Sequence, residues 1–400
     1  MSAASHSVID PVELTRDLIR IPSVTPADEG AMDVLERTLT SLGFTCRRMV
    51  FEGPTGVGHD ARIENLYARR GTASPNLCFA GHTDVVPTGD VAAWTAAPFE
   101  GETRDGILYG RGAVDMKGGI AAWVAAVSRI LEHYAEEGGE VPGSLSFLIT
   151  GDEEGPALHG TKRVVEALMA EGEVIDACVV GEPSSAHHLG DMIKVGRRGS
   201  LNTWITVHGK QGHVAYPDRA ANPAPVVAKL LTRLDAHILD EGFPEFPPSN
   251  LEITTIDVGN PATNIIPAEA KARLNIRFNP THTGDDLIDW LNREAGLVQA
   301  ETGLRIELTH MCSGEAFLTE PGVFVTAVQD AVEATLGRRP EASTTGGTSD
   351  ARFIRSLCPV LELGLVGQTM HQIDERVPEV ELRALTDAYQ AVITTVFQRL

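Results

Sequence analysis

Ser144-Leu-Ser-Phe-Leu-Ile-Thr150-Gly-Asp-Glu-Glu-Gly155 is a short apolar run that stops at a glycine and three acids. Its length and its turn-forming end predict a buried strand rather than a helix. The alanine-rich stretch before it, 118–134, predicts a long helix, and the apolar runs at 76–80 and 176–180 predict two more strands. Near the start, Asp10-Pro11-Val12-Glu13 combines an N-cap, a proline at the first helical position and a capping-box acid, which predicts a helix over 11–20. Strands alternating with helices predict an α/β domain with a largely parallel sheet.

The rhythm changes after residue 197. Strands are expected at 201–208, 251–258, 269–278 and 304–310, with helices opened by Asn222-Pro223 and near 285–294. That βαββαβ order is the split arrangement of a ferredoxin-like sandwich. The α/β pattern then resumes with a helix at 323–336, a strand at 359–365 and a closing helix at 381–400. The expected division is a first part at 1–197, an inserted domain at 198–311 and a second part at 312–400, as suits a 400-residue chain.

Bulk properties exclude several function classes. A formal charge of -22 argues against nucleic acid or an anionic membrane as partner. No window offers the ~20 apolar residues of a membrane helix. Cys46, Cys78, Cys178, Cys312 and Cys358 are odd in number and scattered, so neither a thiolate metal site nor a disulfide framework is expected. Residues 1–10 carry no secretion signature, and a reducing cytoplasm is the expected compartment.

Four segments follow or end apolar strands and carry metal-compatible side chains. Gly81-His82-Thr83-Asp84 places His82 and Asp84 two residues apart, so that the Asp84 carboxylate is expected to take the second N–H of the imidazole. Glycines on either side of Asp115 predict a tight turn that presents its carboxylate. Asp152, Glu153 and Glu154 crowd one strand end, and Glu182 follows another. Taken singly, these read better as a surface histidine, a helix cap or a solvated acidic turn than as a ligand site. Their convergence points to a ligand site, because open α/β sheets bind ligands beyond the carboxyl ends of their strands. Adjacent acids also suit a division of labour between metal binding and proton transfer. Spacing alone does not separate His371 from the other histidines.

The chain as a whole resembles the dinuclear zinc aminoacylase and carboxypeptidase superfamily. The resemblance is carried by GHTDVVP (81–87), WTAAPFEGETRDGILYGRGAVDMKGG (94–119), GDEEG (151–155), VGEPSS (180–185) and IKVGRRGS (193–200). HGKQGHVAYP (208–217), NIIPAEAKARLNIRFN (264–279) and GGTSDARF (346–353) extend it over nearly the full length. It implies a zinc-peptidase-like α/β catalytic domain with an inserted ferredoxin-like α+β dimerisation domain. Asp115 is then implied to bridge two Zn2+ ions, with Co2+ or Mn2+ as substitutes. His82 and Glu182 complete one ion's ligands, and Glu154 and His371 the other's. Asp84 is implied to orient His82, and Glu153 to act as general base and acid. His213 is implied to be an oxyanion partner that reaches the other subunit of a homodimer.

The implied substrate is a small N-succinyl amino acid, N-succinyl-LL-2,6-diaminopimelate, cleaved to succinate and LL-2,6-diaminopimelate in lysine and diaminopimelate synthesis. Its contacts are implied to be Lys194, Arg197, Arg198, Ser200, Tyr216, Asn264, Arg277, Gly347 and Thr348. One departure is Gly367, where the resemblance leads one to expect asparagine. A sibling deacylase acting on acetylornithine or another N-acyl amino acid is the alternative enzyme. A catalytically inactive binding homologue is the alternative from another class.

Overall fold

A computed structural model describes residues 8–54 and 60–400, so part of the N-terminal stretch read for a secretion signal lies outside the described residues. The chain divides into two compact units. One comprises residues up to Val195 together with Thr319–Ser343 and Ser349–Leu400; the other comprises Gly196–Leu318 and Thr344–Thr348.

The first unit is built on an eight-stranded sheet in the order Thr45–Pro54, Asp60–Arg70, Ser144–Thr150, Asn76–His82, Ala177–Val180, Val360–Glu362, Met192–Lys194, Glu341–Ser343. The sheet is mixed rather than largely parallel. Asn76–His82 runs parallel to both of its neighbours, but Thr45–Pro54 and Asp60–Arg70 form an antiparallel hairpin whose second strand is also antiparallel to Ser144–Thr150. The hairpin escaped the apolar-run criterion because Thr45–Pro54 is an edge strand with alternating exposure and two adjacent arginines. Helices Ala31–Ser41 and Thr161–Glu171 were also unforeseen.

The three central strands are fully buried, as their continuous apolar sequences require. Helix Lys117–Glu136 packs against the closing helix Glu379–Arg399, and Phe79 stacks on Trp123 while Tyr389 meets both rings edge-on. Burial of each such ring contributes about 1.5–3 kcal/mol. Gly119 permits the close approach of this helix to the sheet, since a Cβ there would stand 2.5 Å from the Gly181 carbonyl oxygen.

The second unit has a four-stranded antiparallel sheet in the order Asn250–Asp257, Glu269–Phe278, Gly199–His208, Arg305–Gly314. Helices Ala224–Asp235 and Gly284–Thr302 supply the two crossovers of the expected βαββαβ order. Glu269–Phe278 alternates between buried and more exposed positions, and Leu274, Ile276 and Phe278 join Leu230, Leu234 and Leu291 in one core. Thr283 and Asp286 close a capping box on the second helix, which runs two turns beyond its expected end. All five cysteines are free, and no helix among the described residues is long and apolar enough to cross a membrane.

Candidate metal centre

The three central parallel strands end side by side, and the acids and the histidine follow from those ends. His82 closes its strand and is 1 % exposed. Its Nε2 lies 3.2 Å from Asp115 Oδ1 and 3.8 Å from Glu182 Oε1. Asp115 sits in the turn before helix Lys117–Glu136, next to a cis peptide bond to Met116; it does not cap that helix, whose N-cap position is Met116. The other Asp115 oxygen, Oδ2, lies 3.1 Å from His371 Nε2, which is itself 2.8 Å from Glu154 Oε1. The side chains therefore form two groups that share Asp115: His82, Asp115 and Glu182 in one, and Asp115, Glu154 and His371 in the other.

Asp84 departs from the expected contact. His82 Nδ1 donates to the backbone carbonyl of Asp84 at 2.9 Å, while the Asp84 carboxylate stands 3.6 Å away. That carboxylate instead accepts the backbone N–H groups of Glu153, at 3.3 Å, and Glu154, at 3.0 Å. Both effects serve the site: the carbonyl fixes the imidazole tautomer so that Nε2 faces the acids, and the carboxylate holds the acidic turn. Asp152 is turned away, accepting from the backbone of Ala157 and His159.

Charge is crowded here. Burial, with Asp115 and Glu153 close by, pushes Glu182 well above the usual carboxylate range. Burial does the same to Glu153, with Asp350, Glu154 and Asp115 adding to it. Burial also raises Asp84 to about 6, against the opposing pull of His82. Asp115 is held low because hydrogen bonds from His371 and His82 outweigh its burial. Asp115 and Glu154 in turn raise His371 to about 10. Carboxylates and imidazoles without thiolate, with more negative charge than two imidazoles offset, fit hard or borderline divalent cations.

The substrate-side residues fall into separate places. His213, exposed on the short strand Gly212–His213, accepts the Ala215 N–H at Nδ1 (3.1 Å), which leaves Nε2 as the donor of the neutral ring. Tyr216 stands beside it with ring centroids 5.7 Å apart, and the Asn264 carbonyl accepts from Val214 in the same corner. Elsewhere in the second unit Ser200 and Asn250 flank Arg277 across the strands, and Arg198 donates to Asn250 Oδ1. Burial and the Arg198 charge lower the pKa of Arg277. Arg197 donates to the Thr345 carbonyl, in the stretch that also holds Gly347 and Thr348. Lys194, in the first unit, directs its ammonium to Ser343 Oγ and is paired across the sheet with the buried Glu362.

Two features went unseen in the sequence. Lys117 is fully buried, donates to the carbonyls of Leu18 and Ile21, and is lowered to about 7 by burial. Arg111 and Glu375 form an ion pair beneath the Asp115 turn. Lys117 and Arg111 lie in the stretch noted for Asp115, and no local pattern distinguishes them.

The profile of peptidase family M20/M25/M40 matches residues 78–395. A succinyl-diaminopimelate desuccinylase of Caulobacter vibrioides is 64% identical over 391 residues, covering 97% of this chain and 96% of that protein. One from Phenylobacterium zucineum is 62% identical, covering 99% of this chain and all of that protein (100%). Among solved structures, a dinuclear metal-binding M20 peptidase of Bacillus subtilis shares the fold with a TM-score of 0.69 at 16% identity, covering 98% of each chain. The chain belongs to peptidase family M20/M25/M40, a family of metal-dependent hydrolases.

Proposed function

We propose that the protein hydrolyses N-succinyl-LL-2,6-diaminopimelate to succinate and LL-2,6-diaminopimelate, a step of diaminopimelate and lysine synthesis in the cytoplasm. The observation that carries the reading is Asp115, whose two oxygens each reach a different imidazole, each imidazole lying close to a further acid. His82, Asp115 and Glu182 would hold one divalent ion, and Asp115, Glu154 and His371 a second. Zinc suits this donor set best, and cobalt or manganese is compatible with it. Two such ions, when bound, would supply Lewis acidity, which lowers the pKa of water from about 15.7 towards 7 and polarises a carbonyl.

The chain's own residues do the rest. Glu153 is held beside the acids by the Asp84 carboxylate, and its raised pKa suits it to take a proton from water. The same carboxyl then delivers that proton to the departing amine, which an amide needs because an amide anion is a poor leaving group. His213 offers an Nε2–H donor for the developing oxyanion, supplied from the second subunit of a homodimer. Arg198 and Arg277, two neighbouring cations, suit the carboxylates of a succinylated diamino acid. Replacing Arg277 with alanine should raise KM for the succinylated substrate roughly 10-fold or more, the worth of a charge-assisted hydrogen bond, and leave an acetylated one little changed.

The test is amine release by zinc-loaded protein from N-succinyl-LL-2,6-diaminopimelate beside N-acetylornithine, with and without EDTA. Turnover of the first alone, lost with EDTA and restored by zinc, is expected. Turnover of the second alone would overturn the substrate, and silence on both would overturn the enzyme reading.

A further inference from the structure

We propose that the buried Arg111–Glu375 pair is a positioning element that sets Asp115 and His371 at the spacing their shared ion requires. The inference rests on the two-ion reading above and adds to it two residues that touch no metal.

The pair is enclosed, with side chains 2 % and 0 % exposed, and Arg111 Nη1 lies 2.7 Å from Glu375 Oε2. Apart from Arg111 Nε, which is buried without a partner, its remaining polar atoms bond to the backbone of the segments around the site. Glu375 Oε1 accepts the N–H of Val114 at 2.9 Å and of Asp115 at 3.2 Å, and the Glu375 carbonyl accepts from Gly110 at 2.9 Å. Arg111 donates to the carbonyls of Gln372, at 3.1 Å, and Pro87, at 3.3 Å. Its guanidinium lies over the Trp94 ring, 5.3 Å from the centroid. One ion pair thus ties the turn of Asp115 to the loop of His371 and to the segment after His82.

That loop needs an external hold. His371 and Asp374 are non-glycine residues at φ 62° and 59°, a conformation that persists only where the surroundings impose it. Asp374 is fastened in turn by Thr95, whose N–H and hydroxyl donate to its carboxylate at 2.7 and 3.0 Å. His82 stands at a strand end and Glu182 two residues past one, where the sheet ladder already positions the backbone. Because Asp115 serves both groups, loss of the pair should weaken both ions, but the one that also depends on the His371 loop far more than the one whose other two ligands stand on the sheet.

The experiment is calorimetric titration of the metal-free protein with Co2+, read together with the visible spectrum of each equivalent, for wild type, Glu375→Gln and Arg111→Lys. Circular dichroism of the metal-free chains reports folding. One Co2+ equivalent should weaken about 10- to 100-fold in a folded variant, the usual cost of losing a partner that orients a ligand, and the other, which shares only Asp115 with the disturbed loop, by distinctly less. Equal weakening of both equivalents, or of neither, would overturn the proposal. If Glu375→Gln fails to fold, Arg111→Lys, which keeps the charge and loses the forked donation, carries the same expectation. A wild type that takes up fewer than two equivalents would remove the two-ion reading and the role of the pair together. Two equivalents in wild type with unchanged variants would remove the role of the pair alone.

Discussion

His82 and His371 both reach Asp115, and they are held in opposite ways. His82 ends a central strand, 1 % exposed, with its second nitrogen tied to a carbonyl two residues on. His371 sits in a loop after a short 3-10 turn, at positive φ, with its side chain 48 % exposed. One imidazole is therefore part of the sheet's own architecture, whereas the other is brought in by a loop pinned from beneath. The contrast separates what the fold supplies at no extra cost from what must be built onto it.

Asp115 is the point the two groups share. Asp115→Ala should abolish turnover and lose both metal equivalents, as read by elemental analysis after dialysis; retention of either one would show that the two groups do not depend on a common carboxylate. Glu153→Ala should lower kcat by about 10²- to 10⁴-fold, the range expected for a general base, and leave both equivalents bound. A variant that lost metal as well would make Glu153 a ligand instead of a base.

The two histidines should also differ in what they contribute to the metal-free fold. His82→Ala removes the imidazole between two buried carboxylates and should cost about 3–5 kcal/mol in urea unfolding of the metal-free protein. His371→Ala removes a half-exposed partner and should cost about 1 kcal/mol or less. Equal costs would mean that the two imidazoles are held alike. The smallest effect is in pH. Because Asp115 and Glu154 raise the folded pKa of His371 from 6.5 to about 10, its contribution is present in full below pH 6.5 and lost as pH rises through about 10. Metal-free wild type should accordingly lose slightly more stability over that window than His371→Ala, in parallel thermal melts.

The same contrast explains what the sequence disclosed. His82, the Glu153–Glu154 pair and Glu182 each follow an apolar run that can only be a buried strand, so their place at one edge of the sheet was legible. The βαββαβ order of its apolar and amphipathic segments made the ferredoxin-like unit legible as well. His371 is one of 13 histidines, and its position depends on a loop whose geometry no short-range pattern encodes. The Arg111–Glu375 pair spans 264 residues, so neither partner announces the other. Asp84 was expected to bind the imidazole through its carboxylate, but the acidic turn claims that group and the backbone carbonyl takes its place. Lys117 shows the remaining limit: an ammonium fully buried beneath a turn reads, in sequence, like any exposed lysine.

The most direct test of the central claim is anomalous diffraction from crystals of the zinc-loaded protein, collected on both sides of the zinc edge. Two anomalous peaks are predicted, one in coordination reach of His82, Asp115 and Glu182, the other of Asp115, Glu154 and His371. A single peak, or peaks away from Asp115, would contradict the account.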